Sequence, residues 1–125
     1  MNKVIELDYG YKIIEYEELA STMITLKELA IAGCDINTAV WAKKQNRGRG
    51  RHGREWSSPK GNLYVSFLRK PENKSSKNIF APVFIVALAI AYSIKDVSGN
   101  KVVPSIKWPN DVLINKAKVA GILIE

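Results

Sequence analysis

Residues 106–125 read IKWPNDVLINKAKVAGILIE. Ile106-Lys107-Trp108 has the pattern of a short strand, and Pro109-Asn110-Asp111 has turn chemistry. Val112–Ile114 and Lys118–Ile124 are apolar and rich in β-branched residues, with Asn115-Lys116-Ala117 between them. That arrangement predicts a hairpin, hence antiparallel pairing. Working back, Asn78–Val97 is expected to be one long helix closed by Ser98-Gly99-Asn100. Gly61–Arg69 and Thr38–Lys43 read as strands, and Pro71–Lys77 as an exposed polar loop. Tyr11–Tyr16 reads as a strand, followed by a helix that starts at Ala20-Ser21-Thr22 and stops near Gly33. The expected fold class is α/β (α+β), with a mixed, largely antiparallel sheet and packed helices. No repeat and no interdomain linker is seen.

Composition narrows the function classes. The 125 residues suit one domain, and 46% hydrophobic with 25% charged residues is an ordinary globular balance. Nineteen basic against twelve acidic residues give +7, which favours an anionic partner such as phosphate, nucleotide or nucleic acid. The lone Cys34 cannot form an internal disulfide, and one Cys with one His cannot build a zinc site. A reducing compartment follows, with the cytoplasm as the default. The start, Met1-Asn2-Lys3-Val4, lacks a signal-peptide core. The apolar run Ile79–Ile94 is short for a membrane span and closely flanked by Lys77 and Lys95, so it is read as a buried helix. No membrane association is expected.

Two stretches carry chemistry. The first is Gln45–Trp56, QNRGRGRHGREW. Lys43 to Arg54 holds six basic residues and no acidic one. Glycine lets backbone approach a ligand closely, arginine forks grip phosphate or carboxylate, and Trp56 can stack on a base. A solvated basic loop, or an arginine–glycine arm on RNA, fits the same composition. The pattern GxxxxGK[ST] is absent, which excludes a Walker-type site. The second is Lys107-Trp108-Pro109-Asn110-Asp111 with Lys118-Val119-Ala120-Gly121. A lysine at a strand end can stabilise charge developing on a carboxylate or phosphoryl oxygen. Asp111 can orient a lysine or help hold a metal. Equally, Trp108 and Pro109 can be core, and Asn110-Asp111 a plain turn cap.

Taken in order, GRGRHGREW, GNLYVSF, KWPNDV and KVAGILIE resemble the catalytic domain of biotin protein ligases (biotin–[acetyl-CoA-carboxylase] ligases) over about Ile13 to Glu125. The resemblance implies the catalytic fold shared with class II aminoacyl-tRNA synthetases. It implies a two-step reaction: biotin and ATP, with Mg²⁺, give biotinyl-5′-AMP and pyrophosphate. A lysine of a biotin carboxyl carrier domain then takes the acyl group and AMP leaves. By the same resemblance Ser21 and Thr22 face the biotin ring, with a plain N-cap as the alternative for Ser21. Gln45 bonds the biotin head, and Gly48, Arg49, Gly50 and Arg51 fold over the ligand. Lys107 also reaches biotin, bonding the acyl oxygen and the α-phosphate region. Arg49, Arg51, Arg54 and Trp56 lie on the nucleotide side. Lys107, Arg51, Asp111 and Lys118 carry the catalytic expectation, and no protein-held metal is expected.

A Gly-Arg loop that orders over bound adenylate would exclude water, so Gln45–Ser58 is expected to be mobile without ligand. Met23 stands where the family usually has Asn, which removes one amide contact, and Asn46 stands where Thr is common. The family pattern continues past Glu125 with a GxGxN segment and often a small C-terminal β-domain. The apolar strand ending at Glu125 is therefore expected to favour self-association through its edge. With no N-terminal helix-turn-helix pattern, DNA binding is not expected. The competing readings are a lipoate or octanoyl ligase of the same superfamily, a basic nucleic-acid-binding module, and a folded but inactive remnant.

Overall fold

The computed structural model describes residues 2–70 and 80–125. The expected loop at Pro71–Lys77 and the first two positions of the long helix, Asn78 and Ile79, lie outside the described residues. Where one sheet was expected, the strands form two, and the chain divides into two compact units, Met1–Glu72 and Asn73–Glu125.

The first unit holds β1 (Lys3–Glu6), β2 (Lys12–Tyr16), α1 (Thr22–Ile31), β3 (Thr38–Ala42) and β4 (Tyr64–Phe67), with sheet order β1-β2-β3-β4. Only β2 and β3 run parallel. The α1 crossover makes that possible, and the helix packs against β3 and β4. The sheet centre is β3, where Val40 and Ala42 are fully buried and Ala39 nearly so. A run of small and β-branched residues is what a strand covered on both sides requires. Strand β1 has no counterpart in the sequence reading. Its segment KVIE leaves three of four residues exposed, so it carries no burial alternation to detect. Helix α1 ends at the glycine expected to stop it. Gly33 has φ +88, and the Cys34 N–H bonds Leu29 O at 3.0 Å.

The second unit holds α2 (Phe80–Val97), β5 (Ser105–Lys107), β6 (Asp111–Ile114) and β7 (Ala117–Gly121), with sheet order β5-β6-β7, all antiparallel. The hairpin turns through Asn115 and Lys116, both at positive φ. The last strand stops at Gly121, not Ile124. Beyond it the Ile122 N–H bonds Asn110 O, and Asn110 Nδ2 donates to Ile122 O, each at 3.0 Å. Asn110 therefore staples the turn after β5 to the residue that follows β7.

Helix α2 was expected to be buried. One stripe is: Val83 and Ala87 join Val112 and Ile122 in a core cluster, with Ile90, Ile94, Ile106 and Ala120 packed around it. The rest of the helix is not covered: Ile85, Leu88, Tyr92 and Val97 are exposed. A three-stranded sheet can cover only one side of a helix. By length and composition α2 is also apolar enough to cross a membrane, with a mean hydropathy of 1.8.

Candidate functional site

The loop from Gln45 begins where the parallel β2–β3 pair is prolonged beyond its ladder. Lys43 N–H bonds Tyr16 O (3.0 Å), Leu19 N–H bonds Lys44 O (3.1 Å), and Asn46 N–H bonds Leu19 O (2.9 Å). Arg47 N–H then bonds Ala20 O at 2.8 Å, which places the loop entrance against the start of α1. Ion pairs lie alongside. Lys43 reaches Glu15 at 3.1 Å and also pairs with Glu17; Lys44 reaches Glu18 at 3.0 Å; Lys60 reaches Glu17 at 3.4 Å. Asn46 Nδ2 donates to Glu18 Oε1 at 2.6 Å.

Hydrogen bonding to Lys43 holds the Glu17 carboxyl below its ordinary value, and bonding to Asn46 and Lys44 does the same for Glu18. Lys43 is held above its ordinary value by its bonds to Glu17 and Glu15. The glutamates therefore contribute stability above the ordinary glutamate value, and it is lost as pH falls through their lowered folded values. Lys43 contributes below the ordinary lysine value and loses it as pH rises through the raised folded value. All three groups are exposed, so the contribution to stability is small and salt-sensitive. A carboxyl ¹³C titration is expected to give midpoints for Glu17 and Glu18 below those of an unpaired glutamate. In 1 M salt the depression should shrink. Midpoints unmoved by salt would show that these pairs are not formed in solution.

At the start of α1, Ser21 sits at the N-cap in extended conformation but makes no side-chain capping bond. The cap is supplied from 23 residues away: Gln45 Oε1 accepts the Thr22 N–H at 2.8 Å. Gln45 Nε2 donates to Ser58 Oγ at 3.0 Å, and the Ser58 hydroxyl donates to Trp56 O at 2.9 Å. The Thr22 hydroxyl shares a buried bond of 2.8 Å with Ser66 Oγ on β4. Ser21, Thr22, Ser58 and Ser66 are all buried, so a polar wall is built into the packing around the start of α1. A buried polar group needs its bonds satisfied: Thr22 and Ser66 bond each other, and Ser58 links Gln45 to Trp56 O.

The loop between Gln45 and Ser58 closes on itself. Gln45 pairs with Ser58 and Arg49 with Glu55 as isolated bridges. Trp56 N–H bonds Gly48 O at 2.8 Å, and Gly50 N–H bonds Arg54 O at 2.7 Å. Arg51, His52 and Gly53 make a single 3-10 turn, with His52 and Gly53 at positive φ. The segment expected to be mobile without ligand carries an internal ladder of its own. Arg49 and Arg54 are exposed, while Arg51 and Trp56 are half-buried.

In the second unit Lys107 and Asp111 are register partners across β5 and β6, and Lys107 is exposed. Lys118 Nζ lies 2.7 Å from Asp111 Oδ1, a charge contact rather than a well-aligned hydrogen bond. Trp108, offered above as possible core, is more than half exposed, with its ring 4.6 Å from Phe84 and 5.1 Å from Phe80 between centroids. The candidate residues thus form two groups. Ser21, Thr22, Gln45, Gly48, Arg49, Gly50, Arg51, Arg54 and Trp56 belong to the first unit, and Lys107, Asp111 and Lys118 to the second. Among the described residues no cluster of three Asp, Glu, His or Cys side chains could hold a metal.

The pattern of the biotin/lipoate A/B protein ligase family matches residues 16–125. The chain belongs to that family. Its relatives include the bifunctional ligase/repressor BirA of Bacillus subtilis, 38% identical over 93% of this chain and 35% of that protein. Another is the biotin–[acetyl-CoA-carboxylase] ligase of Paracoccus denitrificans, 38% identical over 86% of this chain and 45% of that one. Among solved structures, the biotin protein ligase of Aquifex aeolicus in complex with biotin and ATP superposes with TM-score 0.80 at 36% identity. It is matched over 90% of this chain and 46% of its own. The Leishmania major ligase in complex with biotinyl-5-AMP gives 0.72 at 34% identity, over 90% of this chain and 51% of its own. The chain therefore spans between a third and a half of the length of these family members.

Two residues of the polar wall escaped the sequence reading. Ser66 left a signal: it is the one polar residue in the strand YVSF, on the face shared with buried Val40. Ser58 left none, because a serine before proline after a glycine-rich loop reads as turn chemistry.

Proposed function

We propose that this chain contributes the biotin-binding part of an ATP-dependent biotin protein ligase. The product of that enzyme is a biotinylated lysine on a carboxyl carrier domain. The observation that carries the reading is the Thr22–Gln45–Ser58 constellation beneath the Gly-Arg loop, in a chain 36% identical to a ligase solved with biotin and ATP. After its two internal bonds, the Gln45 amide keeps one N–H and one lone pair. A ureido ring offers the matching carbonyl and N–H. Ser21 and Thr22, at the start of the helix that Gln45 caps, are assigned to the same ring.

Adenylation sets an anionic carboxylate against a triphosphate, so cations must offset the repulsion. Arg51 and Lys107 are assigned to the carboxylate and α-phosphate, and Arg49, Arg54 and Trp56 to the nucleotide. The carboxylate oxygen attacks the α-phosphorus and pyrophosphate leaves. The carrier lysine amine then attacks the mixed anhydride, forming an amide and releasing AMP. Asp111 and Lys118 hold each other at the hairpin beside Lys107. Mg²⁺ would arrive on the triphosphate, since such ions are held by one or two carboxylates together with substrate phosphates. A cytoplasmic setting and self-association through edge strand β7 complete the proposal.

Calorimetric titration with biotin, then with a non-hydrolysable biotinyl-adenylate analogue, tests it. Binding of both is expected, with adenylate affinity reduced at least tenfold in Arg51→Ala and in Lys107→Ala. Lipoate is expected not to compete. A folded chain that binds neither ligand would overturn the reading.

A further inference from the structure

We propose that Ser58 is a positioning residue that fixes the sense in which Gln45 presents its amide to the ligand, an inference that rests on the biotin reading above. The bonds admit only one orientation. The Thr22 N–H is a donor and must face Gln45 Oε1, which it does at 2.8 Å. The Ser58 hydroxyl gives its proton to Trp56 O at 2.9 Å, so towards Gln45 its oxygen is left as an acceptor. Gln45 Nε2 must therefore face Ser58, and lies 3.0 Å away. A flipped amide would set Nε2 against a backbone donor and Oε1 against hydroxyl lone pairs, losing both bonds. Trp56 O, Ser58 Oγ and Gln45 Nε2 also surround Gly48, so the lock is built around the position where the loop passes closest. Ser58 is buried, and the Gln45 N–H bonds its carbonyl at 3.1 Å, so the two residues are held together by backbone as well.

The consequence concerns specificity. With the amide locked, the free N–H and free lone pair of Gln45 point in fixed places, and a ligand must offer a carbonyl and an N–H in matching order. Without Ser58 the amide keeps only its bond to Thr22 and can turn about it. Ser58 itself need not touch the ligand.

The test is a cycle of Ser58→Ala, Gln45→Ala and the double variant, titrated calorimetrically with biotin on the whole chain. Ser58→Ala is expected to weaken biotin binding roughly fivefold to tenfold, the scale of one lost neutral hydrogen bond. In the Gln45→Ala background the same change is expected to have no further effect, because Ser58 acts through Gln45. An equal loss in both backgrounds would overturn the proposal, as would unchanged affinity in Ser58→Ala. The Gln45 side-chain amide protons give a readout without ligand. Wild type is expected to protect one Nε2 proton from exchange, and Ser58→Ala to lose that protection; protection that persists in Ser58→Ala overturns the positioning role. Failure of the wild-type chain to bind biotin would instead sink the biotin reading, while the amide protection still decides whether Ser58 holds Gln45.

Discussion

Replacing Gly48 by alanine is expected to lower the melting temperature by roughly 8 °C or more and to remove ligand binding. Gly48 is buried, and its φ is not in the left-handed region, so the reason is space, not backbone freedom. A Cβ there would lie under 3.0 Å from both Trp56 O and Ser58 Oγ, and 3.2 Å from Gln45 Nε2. A backbone carbonyl cannot rotate away. Either the Gly48–Trp56 pairing opens or Ser58 is expelled from its bond to Gln45. Overpacking of this kind costs about 1–3 kcal/mol, and the lost hydrogen bond about 1 kcal/mol more. In a compact unit the size of Met1–Glu72 each kcal/mol moves the midpoint by roughly 4–8 °C. Gly50→Ala is the control. There a Cβ would meet only Arg54 atoms at 3.6 Å, with φ −105, so it is expected to melt within about 2 °C of wild type. Equal melting of Gly48→Ala and wild type would show that the loop does not pack as described.

That contrast separates what a sequence states from what only three dimensions reveal. The glycines of Gly48-Arg49-Gly50 are equivalent as letters, and both were assigned to a ligand-covering loop. One is sterically obligatory and the other is not, because the atoms that crowd Gly48 lie eight and ten residues further on. Local signals were readable: the helix start at Ser21-Thr22, the glycine stop at Gly33, the hairpin through Asn115-Lys116, the strand at Thr38–Lys43. Long-range bonding was not. No local rule finds that Gln45 caps a helix 23 residues away while Ser21 leaves its capping role unused. Helix α2 was misjudged for a related reason. Hydropathy records that its side chains are apolar, but not how many sheet strands are present to cover them. Pairing of β5–β7 was legible strand by strand, yet nothing local indicated that they form a sheet separate from β1–β4.

Val112→Asp is expected to unfold the three-stranded sheet of the second unit and with it the setting of Lys107, Asp111 and Lys118. Val112 is fully buried, among Val83, Ala87 and Ile122, and its register partners are Ile106 on β5 and Ala120 on β7. It is the only side chain larger than alanine in this unit with no exposure among the described residues. Removing it forfeits about 1.5–3 kcal/mol of burial. A carboxylate in its place has no cation in the cluster to pair with, and isolated buried charge costs several kcal/mol more. The sum exceeds what so small a core can supply. Amide protons of β5, β6 and β7 are expected to lose their protection from hydrogen exchange. Adenylate-analogue binding is expected to fall with them, because Lys107 is held by the β5–β6 ladder. Val119→Asp places the same charge on the same hairpin. Val119 is 47% exposed and lies at the register shift between Val112 and Leu113, where no residue of β6 opposes it. That variant is expected to keep its protection pattern and to change stability by less than about 0.5 kcal/mol. Similar loss in both variants would mean that added charge, rather than burial of Val112, weakens the sheet. Retained protection in Val112→Asp would mean that the core is not where Val83, Ala87 and Ile122 place it.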